Sequence, residues 1–137
     1  EPSDDFEIDY TLRYEHPMIN VQRFNTRINP DVYIREIAPS RTFCFDYEIE
    51  WIKSRGLGRG GDLINTIVIG ANQFHNEHGL RYANELVRHK ILDFIGDAFL
   101  IGRPLRAKIT AYRSGHKHNI NFVRRILEEE NTWVLKK

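Results

Sequence analysis

A single cysteine in 137 residues, Cys44, excludes a disulfide framework and a cysteine-rich metal knot, and fits a reducing compartment. Charge of one sign is not in excess. Twenty basic residues stand against 19 acidic ones for a formal net charge of +1, which argues against a nucleic-acid or polybasic membrane surface as the main business. No run approaches the ~18 apolar residues of a membrane span, and no basic-then-apolar leader is present. Internal repeats and low-complexity tracts are lacking too, so 137 residues imply one domain, 1–137, with one core. The chain begins at Glu1, not at a methionine, and its acidic, proline-containing start reads as a linker within a longer protein.

What is present begins with alternation. Phe6, Ile8, Tyr10, Leu12 and Tyr14 fall on one face and Glu7, Asp9, Thr11 and Arg13 on the other, the pattern of a half-buried strand. A second strand is expected over Ile19–Ile28, and 32–37 fits either a strand or a short helix. Arg41–Phe45 reads as an extended segment entering a helix capped by Asp46 and ended by Gly56. The glycine-rich loop 56–62 follows a helix and precedes the β-branched run Thr66–Ile69, the wrong order for a phosphate cradle, and serves as a tight connection. His75 and His78 lie in a polar loop and are expected to be exposed. A long helix over about 84–101, a strand over 105–113 and a final helix over 119–130 complete the order. That order predicts an α+β two-layer sandwich of a mostly antiparallel sheet packed on helices.

The stretch RHKILDFIGD (88–97) organises the rest. His89, Lys90, Asp93 and Asp97 fall within about 100° of helix circumference, while Val87, Ile91, Leu92, Phe94, Ile95, Ala98 and Phe99 form the core stripe. A helix this apolar should be enclosed, so its polar sector faces a cleft. Four residues apart, His89 and Asp93 can grip one zinc ion, and a catalytic zinc uses three protein ligands plus water. On spacing alone, a partly solvated His-Asp pair on a helix surface is the commoner reading, because HxxxD is a short and frequent pattern. Lys90 and Asp97 weigh against that reading, because burying unpaired ions costs several kcal/mol each. His116, after Gly115 in a turn, can meet Asp97, which would hold its tautomer for acid catalysis; a hydrogen-bonded surface turn is the bland alternative, and His118 offers a second imidazole.

Three ordered segments, RTFCFDYEIEWIKSRGLGRGG (41–61), GLRYANELVRHKILDFIGD (79–97) and AYRSGHKHN (111–119), resemble the second, C-terminal domain of the UDP-3-O-acyl-N-acetylglucosamine deacetylases, zinc hydrolases of bacterial lipid A biosynthesis. The similarity runs from about Phe6 to Glu130. The resemblance implies a cytoplasmic enzyme that hydrolyses the N-acetyl group of its UDP-sugar substrate and releases acetate. It implies His89 and Asp93 as ligands of Zn2+, His116 as the acid that protonates the leaving amine, Asp97 as its orienting carboxylate, Lys90 facing the substrate and Thr42 near the oxyanion. Phe43 would contact the head of the substrate. Ile49, Leu63, Thr66 and Val68 would line an acyl-chain passage built by a small β-α-β insert over roughly 43–70.

One departure is large. In the family the third zinc ligand and the glutamate base come from an N-terminal domain that these 137 residues do not contain. This chain thus supplies half of an active site, and alone is expected to be inactive. Nothing in the spacing of Glu77, Glu85, His75 or His78 supports any of them as a substitute. Two rivals stay open: a non-catalytic binding module that keeps the fold and a partial metal site, and a metal-free protein in which the polar sector is a structural network.

Overall fold

In the computed structural model, which describes residues 1–135, the alternating stretch is strand β1 (Phe6–Arg13) and Ile8, Tyr10 and Leu12 are its buried face. The last two residues of the expected 1–137 domain lie outside the described residues. β2 (Val21–Ile28) pairs antiparallel with β1 over their whole length, from Phe6↔Ile28 to Arg13↔Val21. It starts two residues later than expected, because Ile19 enters the core from the preceding turn.

The open question at 32–37 resolves as helical: Pro30–Val32 form a helical turn, α1, that runs on as a π-helical turn, Tyr33–Ile37. Its start follows from local chemistry. The Asn29 side chain accepts from the Val32 N–H at 2.9 Å, and Pro30 occupies a first-turn position where its missing N–H costs nothing.

β3 (Thr42–Phe45) and β4 (Thr66–Ile69) form a separate parallel pair, from Thr42↔Thr66 to Phe45↔Ile69. A 3-10 turn (Asp46–Glu48), helix α2 (Ile49–Ser54) and the glycine loop join them into a β-α-β unit. Gly56 and Gly58 take φ of +69° and +64°, a region few side chains tolerate, which is why the chain can turn straight back from α2. Asp46 does not cap α2. Its Oδ2 pairs with His75 Nε2 at 3.1 Å, while the Glu48 carboxylate accepts the Phe45 N–H. His75 and His78 are exposed, as expected of that loop.

Helix α3 (Glu85–Ala98) lies across β1 and β2. Leu86, Val87, Ile91, Phe94 and Ala98 enter one core with Ile8, Tyr10, Leu12, Ile37, Ile67 and Ile69. Leu92 and Ile95 are half-buried at its edge, but Phe99 leaves the expected stripe and is 81% exposed. The cause is geometric: the α-helical period ends at Ala98, and Phe99–Ile101 tighten into a 3-10 turn closed by Gly102 at φ +74°.

β5 (Ala107–Tyr112) then joins β1 in parallel, giving a three-stranded order β2-β1-β5. The sheet is therefore mixed, not mostly antiparallel. The long excursion through α3 is the crossover that a parallel neighbour requires. A final helix, α4 (His116–Glu128), packs on α3, and the whole is an α+β fold with helices on one mixed sheet.

Candidate active site

One turn of α3 separates His89 from Asp93, and the structure brings His89 Nε2 to 3.2 Å from Asp93 Oδ1. On the other side of the carboxylate, Lys90 Nζ donates to Asp93 Oδ2 at 2.7 Å. The side chains of His89, Lys90, Asp93 and Asp97 are each only 14% exposed, so the polar sector is largely shielded from bulk water. Burial pushes the Asp93 carboxyl upward in pKa. Hydrogen bonds from His89 and Lys90 outweigh burial and hold it at about 2, so Asp93 is ionised at neutral pH.

The other ring nitrogen of His89 has a defined partner. Nδ1 lies 3.3 Å from the Ser40 carbonyl, which can only accept, so this contact places a proton on Nδ1 and turns Nε2 toward Asp93. In the 3.2 Å contact Nε2 donates to Oδ1; a metal would have to displace that proton, and Nε2 and Oδ1 would then aim lone pairs into the same gap. Two ligands each ~2.0–2.1 Å from a tetrahedral zinc stand about 3.3 Å apart. The imidazole-carboxylate pair fits that ion in donor type and spacing. Among the described residues, however, no set of three or more His, Cys, Asp or Glu side chains is arranged to hold a metal.

His116 is not in a turn. It is the first residue of α4, which begins three residues earlier than its apolar pattern suggests. The start of α4 brings Nδ1 to 2.8 Å from Asp97 Oδ2 and Nε2 to 3.7 Å from Asp93 Oδ1, with the ring 66% exposed. Asp97 is itself fixed from behind: the buried Asn119 amide donates to the same Oδ2 at 2.8 Å and accepts from Ser114 Oγ at 2.6 Å. The Tyr10 hydroxyl completes the chain by donating to the Ser114 carbonyl at 2.6 Å. Burial pushes the Tyr10 phenol up to about 12, so this donor keeps its proton. We predict that Tyr10→Phe lowers unfolding free energy by about 0.5–1.5 kcal/mol, measured by urea titration. No change would mean that water replaces the hydroxyl at Ser114.

The remaining expected residues divide. Phe43 comes close, its ring centroid 6.5 Å from that of His89, and Thr42 is exposed at the start of β3. Thr66 and Val68 share the face of β4 opposite Ile67 and Ile69, Ile49 opens α2, and Leu63 is exposed in the loop before β4. None of these four lines the cavity of about 340 Å³ that runs along β5 between Phe94, Thr110, Tyr112, Ser114, Asn119 and Phe122.

Sequence reasoning missed Asn119, Ser114 and Tyr10, and it missed Glu85 as a buried ion-pair partner. Glu85 is fully buried, and its carboxylate accepts from Arg41 Nε at 2.9 Å and Nη2 at 3.0 Å. The only available signal was its spacing, one turn before His89 on the same face. Burial raises the Glu85 carboxyl, but the bonds from Arg41 and Arg81 bring it below its ordinary 4.5. The sign follows by linkage. A depressed folded pKa stabilises fully above the unfolded value near 4.5, and the contribution is lost as pH falls through the lower folded value. A double variant, Arg41→Met with Glu85→Gln, is predicted to lose less stability than the parent below that pH, measured as urea midpoint against pH. Parallel curves would contradict the linkage.

Comparison with known proteins supplies the family. The family model for UDP-3-O-acyl N-acetylglycosamine deacetylase matches residues 1–128. The UDP-3-O-acyl-N-acetylglucosamine deacetylase of Syntrophus aciditrophicus is 42% identical over 133 residues, covering 97% of this chain and 42% of the relative. That of Cellvibrio japonicus is 38% identical over 96% of this chain and 44% of its own length, and that of Aquifex aeolicus 42% identical over 95% and 45%. The chain thus spans less than half the length of these relatives. By the extent of these matches, it belongs to the UDP-3-O-acyl N-acetylglycosamine deacetylase family.

Proposed function

We propose that this chain is the C-terminal half of a zinc-dependent deacetylase that removes the N-acetyl group of UDP-3-O-acyl-N-acetylglucosamine in the bacterial cytoplasm, a step of lipid A biosynthesis. The observation that carries the reading is the convergence of His89 Nε2 and His116 Nε2 on one oxygen of Asp93, at 3.2 and 3.7 Å. His89 and Asp93 are two of the zinc ligands; an N-terminal domain supplies the third and the general base. Zinc bound there supplies a water of lowered pKa and polarises the amide carbonyl.

The chain's own residues do the rest. In hydrolysis the C–N bond breaks, the water oxygen stays with the acetate, and the leaving nitrogen must gain a proton. As the imidazolium, His116 carries both protons: the one on Nδ1 is held by the Asp97 carboxylate, whose charge favours this form, and the one on Nε2 is given to the leaving nitrogen. Lys90 is bound to Asp93 and adds positive charge at the edge of the site, where it faces the substrate. Thr42 stands near the oxyanion and Phe43 at the substrate's head, while Ile49, Leu63, Thr66 and Val68 of the β-α-β unit line the acyl passage.

With only two ligands of its own, the isolated chain also fits a non-catalytic module that keeps a partial metal site. Acetate release by the longer protein decides between them. We expect activity that a chelator removes and added zinc restores, with none from residues 1–137 alone. Undiminished turnover after chelation would overturn the zinc reading.

A further inference from the structure

A single peptide unit, Ser40–Arg41, is held at both ends by one face of α3. Its N–H donates to Glu85 Oε1 at 3.0 Å, and its carbonyl meets His89 Nδ1 at 3.3 Å. Glu85 and His89 are four residues apart, one above the other on the helix. Glu85 is anchored by more than this bond. It receives both Arg41 guanidinium contacts and the Arg81 N–H at 2.6 Å, while Arg41 Nη2 also donates to the Gly79 carbonyl at 2.8 Å. Ser40 Oγ binds the Ile37 carbonyl, closing the other side of the segment. Rotation of the peptide would break the buried Arg41 N–H bond to Glu85 and the Ser40 carbonyl contact with His89.

A buried ion pair is a poor way to gain stability, since apolar replacements of similar volume are often neutral or better. What this one contributes is position. We propose that Glu85 is a positioning residue: acting through the Ser40–Arg41 peptide, it fixes the carbonyl that keeps a proton on His89 Nδ1 and aims Nε2 at the gap beside Asp93. The consequence for metal binding rests on the zinc reading above; the effect on the His89 ring does not. Outer groups that orient a histidine ligand in this way typically govern metal affinity by about 10–100-fold.

Two double variants test the inference in the longer protein, each removing the Arg41 charge so that no cation is left buried alone. Arg41→Met with Glu85→Gln keeps an oxygen for the Arg41 N–H, whereas Arg41→Met with Glu85→Leu removes it. Zinc affinity is read by competition with a chelator. The protonation of the His89 ring nitrogens is read by nitrogen NMR on metal-free protein at mildly alkaline pH. We expect the glutamine double to keep the Nδ1 proton and parental affinity, and the leucine double to lose the single tautomer and about 10–100-fold in affinity. If the leucine double does not fold, Glu85→Asp, which withdraws the carboxylate by one methylene, carries the same expectation in milder form. Identical behaviour of folded glutamine and leucine doubles would overturn the inference, as would a proton on Nε2 alone in the unaltered chain. Should the unaltered protein bind no zinc, the zinc reading fails and the nitrogen spectra alone decide the role of Glu85.

Discussion

Replacing His116 by alanine in the longer enzyme is expected to lower kcat by about 10²–10⁴, with zinc content and KM little changed. The size follows from the proposed role. An amide nitrogen leaves only once protonated, and His116 Nε2 lies 3.7 Å from Asp93 Oδ1 while Nδ1 is tied to Asp97 at 2.8 Å. Exposure of the ring matters here: at 66% it is too solvated to hold up the fold, so folding should be spared. Asp97→Asn should fall in the same direction: its amide oxygen can still accept from Asn119 and the His116 ring, but the negative charge that favours the His116 imidazolium is gone. Steady-state kinetics with metal analysis checks both. A His116→Ala enzyme with parental kcat would remove this residue from the chemistry and leave Lys90 as the cation nearest Asp93.

The second large effect is on stability. Glu85→Ala strands the Arg41 guanidinium, only 8% exposed, against a core with no carboxylate to meet it. Breaking a buried pair from one side costs about 3–5 kcal/mol, and a domain of this size has only ~5–15 kcal/mol in all. Urea unfolding should therefore show loss of most of the folding transition, or failure to fold at physiological temperature. A change below about 1 kcal/mol would mean that water enters and solvates Arg41. The Arg41→Met, Glu85→Gln double should recover much of the loss, since it removes the stranded charge as well as its partner.

Much of this was legible in the sequence where side chains act through periodicity. The alternation of Phe6 to Leu12 gave β1, and the 3.6-residue spacing of Val87, Ile91, Phe94 and Ala98 gave α3 with its buried face. The polar sector was legible for the same reason, since helix geometry alone puts His89, Lys90, Asp93 and Asp97 together. What stayed hidden depended on partners far away in the chain. Arg41 and Glu85 are 44 residues apart and Tyr10 and Ser114 are 104 apart, and no local pattern marks either contact. Asn119 looked like a polar helix residue until the fold buried it behind Asp97. The parallel pairing of β5 was hidden too, because strand direction depends on how the chain returns and not on the residues of the strand. Phe99 misled for a simpler reason: a helical count was extended one residue past the point where the backbone tightened.

The two-ligand half-site is the centre of the account, and one measurement tests it most directly: zinc affinity, by competition with a chelator, on this chain, on the longer protein and on Asp93→Ala of each. We predict weak binding by residues 1–137, much tighter binding when the N-terminal domain is present, and a loss in both on Asp93→Ala that exceeds the roughly 10–100-fold of an outer-sphere change. Zinc affinity that Asp93→Ala leaves untouched in the longer protein would contradict the account, and the His89-Asp93-Lys90 sector would then be a structural network without a metal.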